Sequence, residues 1–120
     1  MVPAIKTIRP FIGAKNYEIS KNFYCDLGFE EIEISHNMSL FKTESVAFYL
    51  QKAYVKDWID NTMVFLEISN LEAYYHQLLA LNLPAKYPGV VLKPIITLDW
   101  GREFFLHDPS GILWHLGEFR

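Results

Sequence analysis

The sequence predicts an α+β domain, two βαβββ modules whose curved mixed sheets surround a cleft. Two observations carry this reading. The first is a pattern written twice, 54 residues apart: Phe11-Ile-Gly-Ala-Lys-Asn16-Tyr-Glu18 closes at Leu27-Gly28-Phe29, and Phe65-Leu-Glu-Ile-Ser-Asn70-Leu-Glu72 closes at Leu81-Asn82-Leu83. A strand–helix unit repeated at this period is the mark of a duplicated module. The second is the punctuation. Asn16 and Asn70 are residues that cap helices, and Gly28 and Asn82 tolerate the left-handed backbone that ends them. The division is one domain over 1–120, with module one at about 4–51, a joint at about 52–60 and module two at about 61–120.

Each element follows in order. Residues 5–12 are of β type but are broken by Pro10, which offers no donor to a ladder, so this strand lies at an edge, is bulged, or is bent. Ile19, Phe23 and Leu27 recur at four-residue spacing and predict an amphipathic helix over 17–27. Phe29 to Ile34 alternates apolar and acidic residues from Glu31 on, as a half-exposed strand does. His36-Asn37 makes a turn, and Leu40–Lys42 with Val46–Gln51 makes a hairpin. In the joint, Val55, Trp58 and Ile59 form one side of a short helix. Met63–Ile68 is a strand, and a second helix carries Leu71, Tyr74, Tyr75, Leu78 and Leu81 on one stripe. Three prolines and a glycine make 84–94 a loop. Three strands close the chain: Ile95–Trp100, Glu103–His107 and Ile112–Phe119. They are joined by Trp100-Gly101-Arg102 and by Asp108-Pro109-Ser110-Gly111, the second having the stronger turn chemistry.

The bulk properties exclude several classes. A net charge of −3 gives no basic footprint for nucleic acid. No apolar run reaches the ~18 residues that span a membrane. The N-terminus shows no secretion signal, and the single cysteine, Cys25, forbids an internal disulfide; both agree with a cytoplasmic protein. Cys25 reads as a buried thiol without chemistry. No nucleophile motif, phosphate loop or paired-cysteine metal motif is present.

Three pieces resemble the vicinal oxygen chelate superfamily of glyoxalases, bleomycin resistance proteins and dioxygenases. They are Asn16-x-x-x-Ser20-x-x-Phe23-Tyr24-x-x-Leu27-Gly28-Phe29, the strand–Asn70–helix copy, and the run from Trp100-Gly101 to Asp108-Pro109-Ser110-Gly111. The Trp-Gly pair looks most like the bleomycin-resistance-like branch. The resemblance implies the fold named after these proteins and a homodimer with its ligand crevices at the subunit interface. Pro3 and Pro10 would permit strand exchange between subunits. Metal-using members carry ligands on four strands. Counting from the helix caps and the closing turn carries three of those positions onto Arg9, Met63 and His115, and the other falls at the end of the fourth strand, near Gln51. Only His115 is a good ligand type, with Gln51 a weak one. Arg9 keeps its proton and repels a cation, and Met63 is too soft for a hard ion. The expectation is therefore no metal and no other cofactor.

If Arg9 and His115 face the concave side, strand alternation adds Thr7, Phe11, Ala47, Tyr49, Gln51, Met63, Phe65, Glu67, Leu113 and Gly117 to that face. The opposite face holds Ile8, Ile12, Phe48, Leu50, Val64, Leu66, Ile68, Trp114 and Leu116, which suit packing beneath the helices. The expected ligand-binding residues are Arg9, Phe11, Tyr49, Gln51, Met63, Phe65, Glu67, Trp100, Leu113 and His115. An apolar lining with a few placed polar groups is the character of a ligand pocket. Arg9 and Glu67 are equally read as a structural pair, His115 as a neutral core histidine, and Trp100 as a subunit contact. The function the resemblance implies is metal-independent sequestration of a small or medium organic ligand, as in antibiotic resistance. The alternative is a lyase, isomerase or dioxygenase of the same fold, with His115 as the catalytic or metal-binding group.

Overall fold

The computed structural model describes residues 2–120. Module one runs β1 (Phe11–Gly13), α1 (Tyr17–Asp26), β2 (Glu30–Ser35), β3 (Met38–Lys42) and β4 (Ala47–Gln51). A short helix, α2 (Lys56–Asp60), fills the joint. Module two runs β5 (Met63–Glu67), α3 (Leu71–Ala80), α4 (Leu83–Lys86), β6 (Val91–Leu92), β7 (Ile96–Leu98), β8 (Gly101–His107) and β9 (Leu113–Phe119). The first sheet has strand order β1-β4-β3-β2. The second has β5-β9-β8-β6, with β7 also paired to β8. In each module the first strand lies parallel to the last, and the helix makes the crossover that a parallel pair requires.

The local chemistry works alike in both copies. Asn16 Oδ1 accepts from the Ile19 amide and Asn70 Oδ1 from the Ala73 amide, each 3.2 Å, which satisfies one orphan donor at each helix start. Gly28 at φ 108° and Asn82 at φ 53° take the left-handed turn that stops each helix.

The core lies on the helix side of both sheets and is shared between the modules. Trp114 of β9 packs against Tyr24, Phe29 and Phe48 of module one, with ring centroids 5.8, 6.3 and 5.3 Å apart. Burying side chains of this size contributes about 1.5–3 kcal/mol each. A buried polar chain ties the same region. The Trp114 indole N–H donates to Tyr24 Oη at 2.9 Å, and the Tyr24 hydroxyl donates to Asp108 Oδ2 at 2.6 Å. Asp108 Oδ1 accepts from the amides of Ser110, Gly111 and Ile112 at 2.8–2.9 Å and so shapes the closing turn. Burial pushes the Asp108 carboxyl up, against the pull of its hydrogen bonds. The Tyr24 phenol is driven well above its usual range by burial first and then by the Asp108 charge. Tyr74 of α3 donates to the Leu27 carbonyl at 2.9 Å, and Lys86 and Tyr87 both donate to Asp26.

Several expectations are corrected. Of the strand predicted over 5–12 only Phe11 and Ile12 fall in β1; residues 2–10 form an exposed arm without regular structure. Ile8 is therefore 91% exposed rather than packed beneath a helix. In α2 only Ile59 turns inward; Trp58 and Val55 are exposed, because five residues make little more than one turn. The proline-rich stretch contains α4, since Pro84 sits in its first turn, where a missing amide costs nothing. Leu98 ends β7 and Gly101 already belongs to β8, so the turn lies at Asp99–Trp100. Cys25 is exposed, and its thiol is raised by partial burial and by the charges of Glu31 and Asp26.

Candidate functional site

The faces of the sheets turned away from the helices carry two separate groups of side chains. On the first sheet, the parallel register sets Phe11 opposite Tyr49, and their rings stack at 4.7 Å and 20°. The Tyr49 amide donates to the Pro10 carbonyl at 2.9 Å, which anchors the chain just before β1. Arg9 is thereby brought over the same ring: Nη1 donates to Tyr49 Oη at 3.0 Å, and the guanidinium carbon stands 5.8 Å from the ring centroid. Gln51, half-buried, ends β4 between Gly13 and Met38. Phe11 is 57% exposed, so this wall is open.

The second sheet builds a larger aromatic wall. Phe65 of β5 stands opposite His115 of β9, and their rings lie nearly parallel at 6.5 Å. Trp100 and Phe119 complete a three-ring group with Phe65: Phe65–Trp100 is 5.9 Å, Phe65–Phe119 5.8 Å and Trp100–Phe119 5.0 Å. Phe105 meets His115 edge-on at 5.0 Å. The polar group of this wall is a pair: His115 Nδ1 lies 3.0 Å from Glu103 Oε1, and Glu103 is buried. A carboxylate on Nδ1 fixes the imidazole's orientation and leaves Nε2 for another partner. Met63 and Glu67 are exposed at the two ends of β5, and Leu113 opens β9 opposite Met63.

The predicted residues are thus brought together as Arg9, Phe11 and Tyr49 on one sheet and Phe65, Trp100 and His115 on the other. Among the described residues, no ion pair or hydrogen bond joins Arg9 to Glu67. Sequence reasoning missed Glu103, Phe105 and Phe119. The signal was present: counting back across the turn at 108–112 pairs Phe105 with His115 and Glu103 with Gly117. A recess of about 370 Å³ lies beside these walls. It runs between arm residues 6–10 and the strands β4 and β5, and shares Phe65 with the second wall.

The four positions where the superfamily's metal ligands fall do not suit an ion. Arg9 is a cation engaged by Tyr49, Met63 is a thioether and Gln51 a neutral amide, so His115, through Nε2, is the one good ligand type of the four. Among the described residues, no three His, Cys, Asp or Glu side chains cluster as a ligand set. No helix of the described residues is long and apolar enough to cross a membrane.

No protein-family model and no curated protein matches the sequence. Solved structures do match. A bleomycin-binding protein in complex with bleomycin is 17% identical, superposes with a TM-score of 0.81, and is covered over 100% of its length by 97% of this chain. The bleomycin-binding protein of Streptomyces verticillus in complex with copper(II)-bleomycin gives 18% identity and a TM-score of 0.80, over 99% of this chain and 100% of that one. A lactoylglutathione lyase from Agrobacterium tumefaciens gives 14% and 0.71, over 97% and 96%. The paired βαβββ modules, their strand orders and these superpositions together establish that the chain has the vicinal oxygen chelate fold of the glyoxalases and bleomycin resistance proteins.

Proposed function

We propose that the protein binds and sequesters a small or medium organic ligand, an antibiotic being the leading class, between two aromatic walls supplied by the two chains of a homodimer. The observation that carries this reading is the pair of open walls on the helix-free faces. Phe11 and Phe65 are 57% and 45% exposed, yet each is held in an ordered ring group with a placed polar partner. Large exposed aromatic patches mark interaction sites on soluble proteins. Each wall is half of a pocket, which is why a second chain enters the proposal. Arm residues Val2, Ile5 and Ile8 are 77%, 71% and 91% exposed, which supports exchange of the arm between the chains. Arg9, Gln51, Glu67 and His115 would orient the ligand's polar groups, and the rings would supply contact area. That matched structures of this fold hold bleomycin supports the ligand class.

The test is sedimentation at micromolar concentration together with calorimetric titration of metal-free bleomycin. A dimer that loses affinity on Arg9→Ala and on Phe65→Ala is the expected result. A monomer, or affinity unchanged by both substitutions, would remove the two-wall site.

The Glu103–His115 pair favours one second reading, in which His115 acts as a general acid or base on a bound substrate. Turnover lost on His115→Gln while binding persists would select that reading.

A further inference from the structure

We infer that Gly117 is a positioning residue of this cleft: its missing side chain is the socket in which the Phe65 ring lies, and this sets the depth of the aromatic wall. The inference rests on the ligand-cleft reading above.

The parallel register of β5 and β9 places His115, not Gly117, directly opposite Phe65; Gly117 faces Glu67. The Phe65 ring nevertheless leans diagonally along the ladder. A Cβ added to Gly117 would stand 2.5 Å from Phe65 Cζ, 2.9 Å from Phe65 Cε2 and 3.2 Å from Trp100 Cη2. Apolar heavy atoms in ordinary contact sit up to ~4 Å apart, so even a methyl group would lift both rings toward the cleft. Gly117 is buried, and what covers it is this ring pair.

Backbone conformation does not explain the glycine. The left-handed angles of the chain fall at Gly28, Gly89, Gly101, Gly111 and Asn82, and Gly117 is not among them. A strand-interior glycine that the backbone does not need weakens the strand and marks a place where something must approach closely. Here the close approach is Phe65. Laid flat, it keeps its neighbours Trp100 and Phe119 within 6 Å and leaves its outer surface open. An aromatic ring over a strand glycine also stabilises a sheet on its own. The two roles separate in their readouts, because sheet stabilisation affects unfolding and wall depth affects ligand affinity.

The experiment titrates the full-length protein with Nile red, a neutral planar fluorophore, and measures urea unfolding in parallel. The variants are Gly117→Ala, Phe65→Leu, Phe65→Ala and the double variant Gly117→Ala/Phe65→Leu. The expected result is a loss of Nile red affinity in Gly117→Ala of roughly tenfold, the discrimination one methyl group carries in an apolar pocket. The double variant should return to the affinity of Phe65→Leu, since the smaller side chain vacates the socket. If Phe65→Ala weakens binding while Gly117→Ala leaves it unchanged, the socket falls and the cleft stands. A Gly117→Ala loss that Phe65→Leu does not relieve also overturns the socket. Should the wild type bind no Nile red, or bind it independently of Phe65, the cleft reading falls and takes the socket with it.

Discussion

Removing one oxygen atom, by Tyr24→Phe, should cost far more stability than the same change at Tyr74. The ring would stay where it is, packed against Phe48 at 4.9 Å and Phe41 at 5.8 Å, so apolar contact is kept. What disappears is the middle of the chain from Trp114 Nε1 through Tyr24 Oη to Asp108 Oδ2. Tyr24 and Asp108 have no exposed surface and Trp114 is 3% exposed, so water does not replace the lost partner. A buried neutral donor left unpaired costs about 1–3 kcal/mol, and a hydrogen bond to a charged group is worth ~1.5–3 kcal/mol. The two losses together come to roughly 2.5–6 kcal/mol. With ~2.1 cal/mol/K of unfolding entropy per residue, the 120-residue chain should lose about 10–24 °C in Tm. Urea unfolding, followed by tryptophan fluorescence and far-UV circular dichroism, measures the loss, and the slope with urea should be unchanged. Tyr74→Phe is the control: it removes a single neutral bond to the Leu27 carbonyl and should cost about 1 kcal/mol. If Tyr24→Phe costs no more than Tyr74→Phe, the reasoning that this chain of hydrogen bonds ties the modules is wrong.

Three further outcomes are expected. In Asp26, burial raises the carboxyl but the hydrogen bonds and charge of Lys86 and Tyr87 win, so its folded pKa lies below the ordinary carboxylate value. Its contribution is therefore present above the unfolded pKa of ~3.9 and is lost as pH falls through the lower folded value. The stability gap between wild type and Asp26→Asn should close in that window, as acid titration of unfolding would register. Gly101→Ala should destabilise by about 1–3 kcal/mol, because a Cβ there runs into the Glu118 carbonyl oxygen and backbone cannot yield as a side chain can; thermal unfolding reads it. Glu103→Gln should release the His115 ring from its charged partner, visible in NMR as a shift of the His115 imidazole signals.

The parts of the fold that could be read from sequence were those set by local chemistry. Asn16, Asn70, Gly28 and Asn82 act within a few residues of themselves, and Asp108-Pro109-Ser110-Gly111 carries its own hydrogen bonds. Residues 5–10 have strand composition but no strand, because pairing is a property of two segments: β1 and β4 meet only at 11–13 and 49–51. Trp58 turns outward because a five-residue helix buries little of its circumference, which no periodicity over so short a run reveals. At the candidate site, the count from the closing turn reached His115, and alternation then added Phe65. Glu103 was hidden because its role depends on a diagonal contact across a hairpin, one step beyond the residue facing it.

Trp114 sits among Tyr24, Phe29 and Phe48, and that arrangement bears on how the duplicated halves came to depend on each other. Neither half owns a complete interior: the indole comes from the second and the rings that enclose it from the first. A chain cut within 52–62 should therefore give two fragments that are insoluble when expressed apart and that reassemble when expressed together. The repeat is then no longer a pair of independent units. It should unfold as one cooperative unit, because the indole of the second half is enclosed by rings of the first.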